Sequence, residues 1–167
     1  RDVAPSRGLG DVYKRQMKSL DGDGVIQING EDKYLASTSV VMKIPDNITG
    51  VLAELMTVMP IPIVDIINKA DGSDPCYLIK AVMPHGDSPI KECIRVFYTE
   101  NGNVKLPISN DDYTLIERGD VVEMIVEYDE DDEEFAPVAL AIKRSYPGQP
   151  DELVGIIFPV PEFVGVV

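Results

Sequence analysis

The chain reads as an α+β domain: a mostly antiparallel β-sheet or small barrel with one amphipathic helix. Three observations lead there. Apolar and polar residues alternate with period two in run after run, the pattern of strands with one face wet and one buried. Turn-forming pairs, Asn29-Gly30, Asn101-Gly102 and Gly119-Asp120, punctuate those runs. One segment breaks the pattern: Ile48, Val51, Leu52, Leu55, Met56 and Met59 form a single stripe of helical period.

The elements follow in order. Val25 to Ile28 alternate, Asn29-Gly30 begins a reversal, and Tyr34 to Ile44 return as the second arm of a hairpin ended by Pro45. Asp46 or Asn47 caps the helix, and Pro60 stops it. The stretch "PIPIVDIINKADG" fits a buried strand or a second short helix starting at Pro62, because so short a run has no decisive period. Cys76 to Met83 is a strand, and after the turn "PHGDSP" the run "IKECIRVFYTENGNVKLPI" is a hairpin around Asn101-Gly102, with type I′ geometry expected. Gly119-Asp120 leads into a strand with Val122, Met124, Val126 and Tyr128 on one face. Its neighbour "FAPVALAIK" turns Val138, Leu140 and Ile142 inward. Pro159 and Pro161 argue for an edge strand or an extended docking segment at the end of the chain.

The first residues fit none of this. "SRGLGDVYKRQ", Ser6 to Gln16, lacks the continuous apolar centre of a secretory signal, and Pro5, Gly8 and Gly10 oppose a basic amphipathic presequence. It resembles the translated transposon-end adapter of shotgun sequencing libraries. That resemblance implies that 1–16 is adapter read-through, that the source is a metagenomic assembly, and that the native chain is read from Met17 with both ends open. The expected organisation is then a single β-rich domain over 17–146, with 147–167 a loop and extended C-terminal segment packed on it. Four of the 15 Lys+Arg and two of the 29 Asp+Glu fall in 1–16, which leaves 11 against 27, a net charge of −16.

Such acidity repels nucleic-acid phosphates and membrane surfaces, and favours basic partners. No apolar run reaches the roughly 20 residues of a membrane span. A soluble protein is expected, cytoplasmic or, since a small acidic reading frame from an environmental assembly suits a viral source, in the virion. Cys76 and Cys93 are read as reduced, with a single cross-strand disulfide as the alternative.

Candidate chemistry is sparse. Asp21, Asp23, Gly24 and Ile26 match four positions of a calcium loop running from Ser19 to Gly30, but the closing bidentate carboxylate is absent, so turn formation explains them. His85 is the only histidine. A triad would have to combine it with Asp87, Ser88 or Cys76, and nothing around it has a nucleophile's setting, so no catalytic residue, metal or cofactor is expected. The six carboxylates Asp129, Glu130, Asp131, Asp132, Glu133 and Glu134 form a hairpin tip, read either as a solvated cap that keeps a sheet end from aggregating or as a surface for a basic partner. Lys91, Arg95, Phe97, Tyr98 and Lys105 interleave cations and rings on the central hairpin, the composition of a single-strand nucleic-acid platform, although three cations are few against a net charge of −16 and Phe97 with Leu106 and Ile108 also reads as core. The leading expectation is a non-catalytic protein-binding or assembly module. The alternatives are an OB-like single-strand nucleic-acid binder and an enzyme of unrecognised type.

Overall fold

The computed structural model of the chain describes residues 25–29, 32–36, 39–44, 63–82 and 93–165. Among them run β1 (Val25–Asn29), β2 (Asp32–Ala36), β3 (Val40–Lys43), α1 (Ile63–Lys69), β4 (Asp74–Val82), β5 (Ile94–Thr99), β6 (Lys105–Ser109), α2 (Asn110–Tyr113), β7 (Val121–Asp129), β8 (Glu134–Arg144) and β9 (Glu152–Ile157). The strands form one antiparallel sheet of nine in the order β1-β2-β3-β9-β8-β7-β4-β5-β6. The expected α+β, sheet-dominated class is what the chain adopts. The helix expected over 48–59 and the calcium-like loop before Val25 lie outside the described residues.

Alternation along each strand sends successive side chains to the two faces of the sheet, and the alanines fall on one of them. Val40 and Met42 of β3, Met124 of β7, Leu140 and Ile142 of β8 and Ile157 of β9 point one way, where β5 and β6 fold across with Phe97, Leu106 and Ile108. The opposite face carries Ala36, Ala139 and Ala141 with Val41 and Ile125, and α1 packs there through Ile67 with Ala70 beside it. Small residues let a helix approach a sheet closely; bulky ones fill the thicker gap between the folded-over layers. Gly155 of β9 follows the same logic, since a Cβ there would overlap the Met42 sulfur and sit 3.2 Å from the Val41 carbonyl oxygen.

The sheet bends at β4. Asp74 and Pro75 pair with β7, whereas Cys76 to Val82 pair with β5, with a register shift between Leu78 and Lys80. Beyond β9 the Phe158 N–H donates to the Ser39 carbonyl and the Val160 N–H to the Pro107 carbonyl at the edge strand β6, which ties the folded-over edge back to the middle of the sheet. Of the two forms expected, sheet or small barrel, the described strands form the sheet, with β1 and β6 as its unpaired edges.

Several elements differ from expectation. Tyr34 to Ile44 is two strands, β2 and β3, paired with each other as Tyr34↔Lys43 and Leu35↔Met42. Of the two forms left open for "PIPIVDIINKADG", "IVDIINK" takes the helix, with Asp65 in the first turn and Lys69 in the last, each favourably placed against the helix dipole. The turn at Asn101-Gly102 is a four-residue loop in which only Gly102 has positive φ (72°). It is closed by the Thr99 hydroxyl donating to Asn101 Oδ1 and by the Gly102 N–H donating to the Thr99 carbonyl. Val138 faces α1 instead of joining Leu140 and Ile142. Ile125 pairs with Ala139 and Val126 with Pro137, so Val138 is the extra residue of a β-bulge. The C-terminal run is no edge: β9 lies between β3 and β8, and both prolines come after it, where no ladder needs their N–H.

Candidate functional site

The acidic run sits at the end of a projecting arm. Along β8, pairing with β9 stops at Leu140, and along β7, pairing with β4 stops at Met124. From Ile125 to Asp129 and from Glu134 to Ala139 the two strands pair only with each other among the described residues. Pro137 is tolerated in β8 because no second neighbour asks for its missing donor there. The arm is braced at its base, where Ile125 and Ala139 are buried under α1 and Lys69 pairs with Glu127.

The arm's other face continues the main core outward. Val126, opposite Pro137, packs partly against that core, and one pair further out Tyr128 lies opposite Phe135. Their rings meet edge to face at 5.2 Å, and they remain 54% and 58% exposed. Large aromatic side chains usually bury most of their area, so two half-exposed rings on one ladder rung are the unusual feature of this surface.

The tip is a four-residue loop ordered by its first carboxylate. Asp129 Oδ1 accepts from the Asp131 N–H at 2.9 Å and the Asp132 N–H at 3.4 Å, while Glu130 to Glu134 are exposed. Glu133 has φ 54°, the only positive φ among the described non-glycine residues. A left-handed glutamate is strained where asparagine is tolerated, so Glu133→Asn is expected to raise stability by up to about 1 kcal/mol, read from the urea midpoint. A lowered midpoint would mean that Glu133 makes a compensating contact.

The nucleic-acid constellation does not assemble on one face. Phe97 is a core residue, 4% exposed. Arg95 donates from Nε to Asn110 Oδ1 at 2.9 Å and lies over the Tyr113 ring at 4.8 Å, at the end of the sheet capped by α2. Tyr98 and Lys105, both half-buried, pair across β5 and β6 on the face opposite Phe97, with Tyr77 as the next cross-strand neighbour of Tyr98. Lys105 Nζ lies 5.3 Å from the centre of the Tyr98 ring. An open depression of about 290 Å³ at that end is bordered by Asp74 and Glu100, which set negative charge beside this patch. Lys91 lies outside the described residues.

The remaining polar groups are occupied with structure. Burial, helped by Glu123, pushes the Cys76 thiol up to about 12, which removes it as a nucleophile, and Cys93 is half-buried and unpaired. Among the described residues no three metal-ligating side chains converge. No described helix is long and apolar enough to cross a membrane. His85, Asp87 and Ser88 lie outside the described residues.

Ser73, Glu123 and Lys143 form a partly buried cluster beneath the 3-10 turn Ala70–Gly72. Lys143 Nζ donates to Glu123 at 2.6 Å, and the single proton of the Ser73 hydroxyl has the Glu123 carboxylate and the Ala70 carbonyl both within reach. Burial raises the Glu123 carboxyl, but the bonds from Lys143 and Ser73 lower it more, and it ends below its ordinary value of 4.5. A carboxyl depressed by folding stabilises the native state above its unfolded pKa, and that contribution is lost as pH falls through the folded value. Glu123→Gln is therefore expected to flatten the stability loss of the wild type below about pH 4.5. Parallel urea-midpoint curves for the two proteins on acidification would refute this.

The aromatic rung was partly legible in "EYDEDDEEF", where one ring precedes the acidic run and one follows it. What the sequence left open was the loop length that sets them opposite each other and the early ends of β9 and β4 that leave them uncovered. No family model, curated protein or solved structure matches the chain.

Proposed function

We propose that the protein is a non-catalytic protein-binding or assembly module whose contact surface is the β7–β8 arm. The observation that carries this is the half-exposed Tyr128–Phe135 rung on a ribbon extending past its neighbouring strands. Exposed aromatics held rigidly by a cross-strand pair lose little entropy on docking, and such residues are frequent anchors of protein interfaces. The arm presents the apolar area and charge that contact with another protein uses.

The test needs no known partner. Random peptides displayed on phage are selected against the wild-type protein and against a Tyr128→Ser/Phe135→Ser variant whose melting curve matches it. Peptides enriched on the wild type and lost on the variant are expected. Equal enrichment on both would remove the arm as the contact surface.

A further inference from the structure

Resting on that reading of the arm, we infer that its partner is a basic, extended, arginine-containing segment of another protein, bound along the Val126–Tyr128–Phe135–Pro137 face with its cations toward the tip. Three features choose this occupant. The face is apolar and aromatic, but it ends in the exposed carboxylates Glu130 to Glu134, so an apolar occupant satisfies half the surface and a cationic one satisfies both. A second copy of the chain is disfavoured, since two arms meeting would bring together like-charged tips on molecules that each carry a net charge of −14.

The chain also displays the recognition chemistry internally. Arg95 lies over the Tyr113 ring at 4.8 Å with its Nε on the Asn110 oxygen, and Lys105 lies over Tyr98. A ring with an oxygen acceptor beside it holds a guanidinium by cation–π attraction and a hydrogen bond at once, as Tyr113 and Asn110 hold Arg95. Tyr128 and Phe135 offer exposed rings one rung from a tip whose carboxylates Glu130 to Glu134 are exposed, and among the described residues no cation of the chain lies over them. Arginine suits the place better than lysine: its planar guanidinium stacks on a ring while its fork donates to a carboxylate, and it is the more weakly hydrated of the two.

The experiment measures fluorescence anisotropy of short labelled peptides alternating arginine, lysine or glutamate with valine, against the full chain. The expected result is binding in the order arginine, lysine, glutamate. Arginine-peptide affinity should fall about tenfold or more for Tyr128→Ser/Phe135→Ser, and again when Glu130, Asp131 and Asp132 are changed to Gln or Asn. It should also weaken steeply between about 50 and about 500 mM salt. If the arginine peptide binds the ring variant as well as the wild type, its attraction is to net charge alone and the inference fails. If arm-dependent peptides from the display selection are neutral or acidic, and neutralising the tip leaves their affinity unchanged, the arm remains a binding surface and the basic partner is overturned. If no peptide depends on the arm, the underlying reading falls with it.

Discussion

Asp120→Ala is expected to cost about 3–5 kcal/mol, the size of effect seen when one partner of a buried ion pair is removed. The Asp120 side chain is 2% exposed and the Arg144 side chain 14%. Asp120 Oδ1 accepts from Arg144 Nε at 2.9 Å, and Oδ2 accepts from Nη2 at 3.1 Å and from the Glu117 N–H at 2.9 Å. These bonds, led by those to Asp120, raise the Arg144 guanidinium further above its ordinary value, so it stays charged at any working pH. Without Asp120 the guanidinium keeps Glu117, at 3.4 Å, as its one ion-pair partner among the described residues, and the turn entering β7 loses its side-chain acceptor. Urea unfolding of Asp120→Ala measures the loss, and Asp120→Leu combined with Arg144→Met should recover much of it by removing both charges. A single-variant loss below about 1 kcal/mol would show that water replaces the carboxylate.

Leu140→Ala is expected to cost about 2–5 kcal/mol through lost burial and an unfilled cavity. Leu140 is fully buried, and it pairs with Met124 on one side and Ile157 on the other, at the centre of the sheet. Rigid backbone ladders on both sides prevent collapse into the vacated space, which favours the upper part of the range. Leu140→Ala should lower the urea midpoint without altering its slope. The hairpin arm begins just past this residue, so the same variant tests whether the arm depends on the core: rings kept in place by α1 and the Lys69–Glu127 pair would leave peptide binding unchanged at temperatures where the variant is folded.

The hairpins were legible because their information is local. Asn29-Gly30 and Asn101-Gly102 mark reversals, Gly119-Asp120 marks the turn into β7, and period-two alternation supplies the strands between them. Even the pairing of Tyr98 with Lys105 follows from counting outward from the turn. Detail inside a turn was less accessible: a side-chain bond from Thr99 replaced the expected type I′ geometry.

Other features depended on residues far apart in the chain. Pro159 and Pro161 correctly limit where a ladder can run, yet they say nothing of Glu152–Ile157, which becomes an interior strand because β3 and β8 both present complementary edges to it. Val138 looked inward until the bulge opposite Ile125 and Val126 turned it toward α1. Phe97 and Arg95 alternate correctly with their neighbours, but only the fold-over of β5 and β6 decided that one fills the core and the other reaches Tyr113. By itself the sequence determined an acidic, sheet-dominated α+β chain with a carboxylate-rich hairpin tip, because charge, alternation and turn chemistry are properties of neighbouring residues. Tertiary structure alone decided that this hairpin outruns the strands beside it and carries two rings into solvent, because the lengths of β4 and β9 against β7 and β8 are set by packing across the whole sheet.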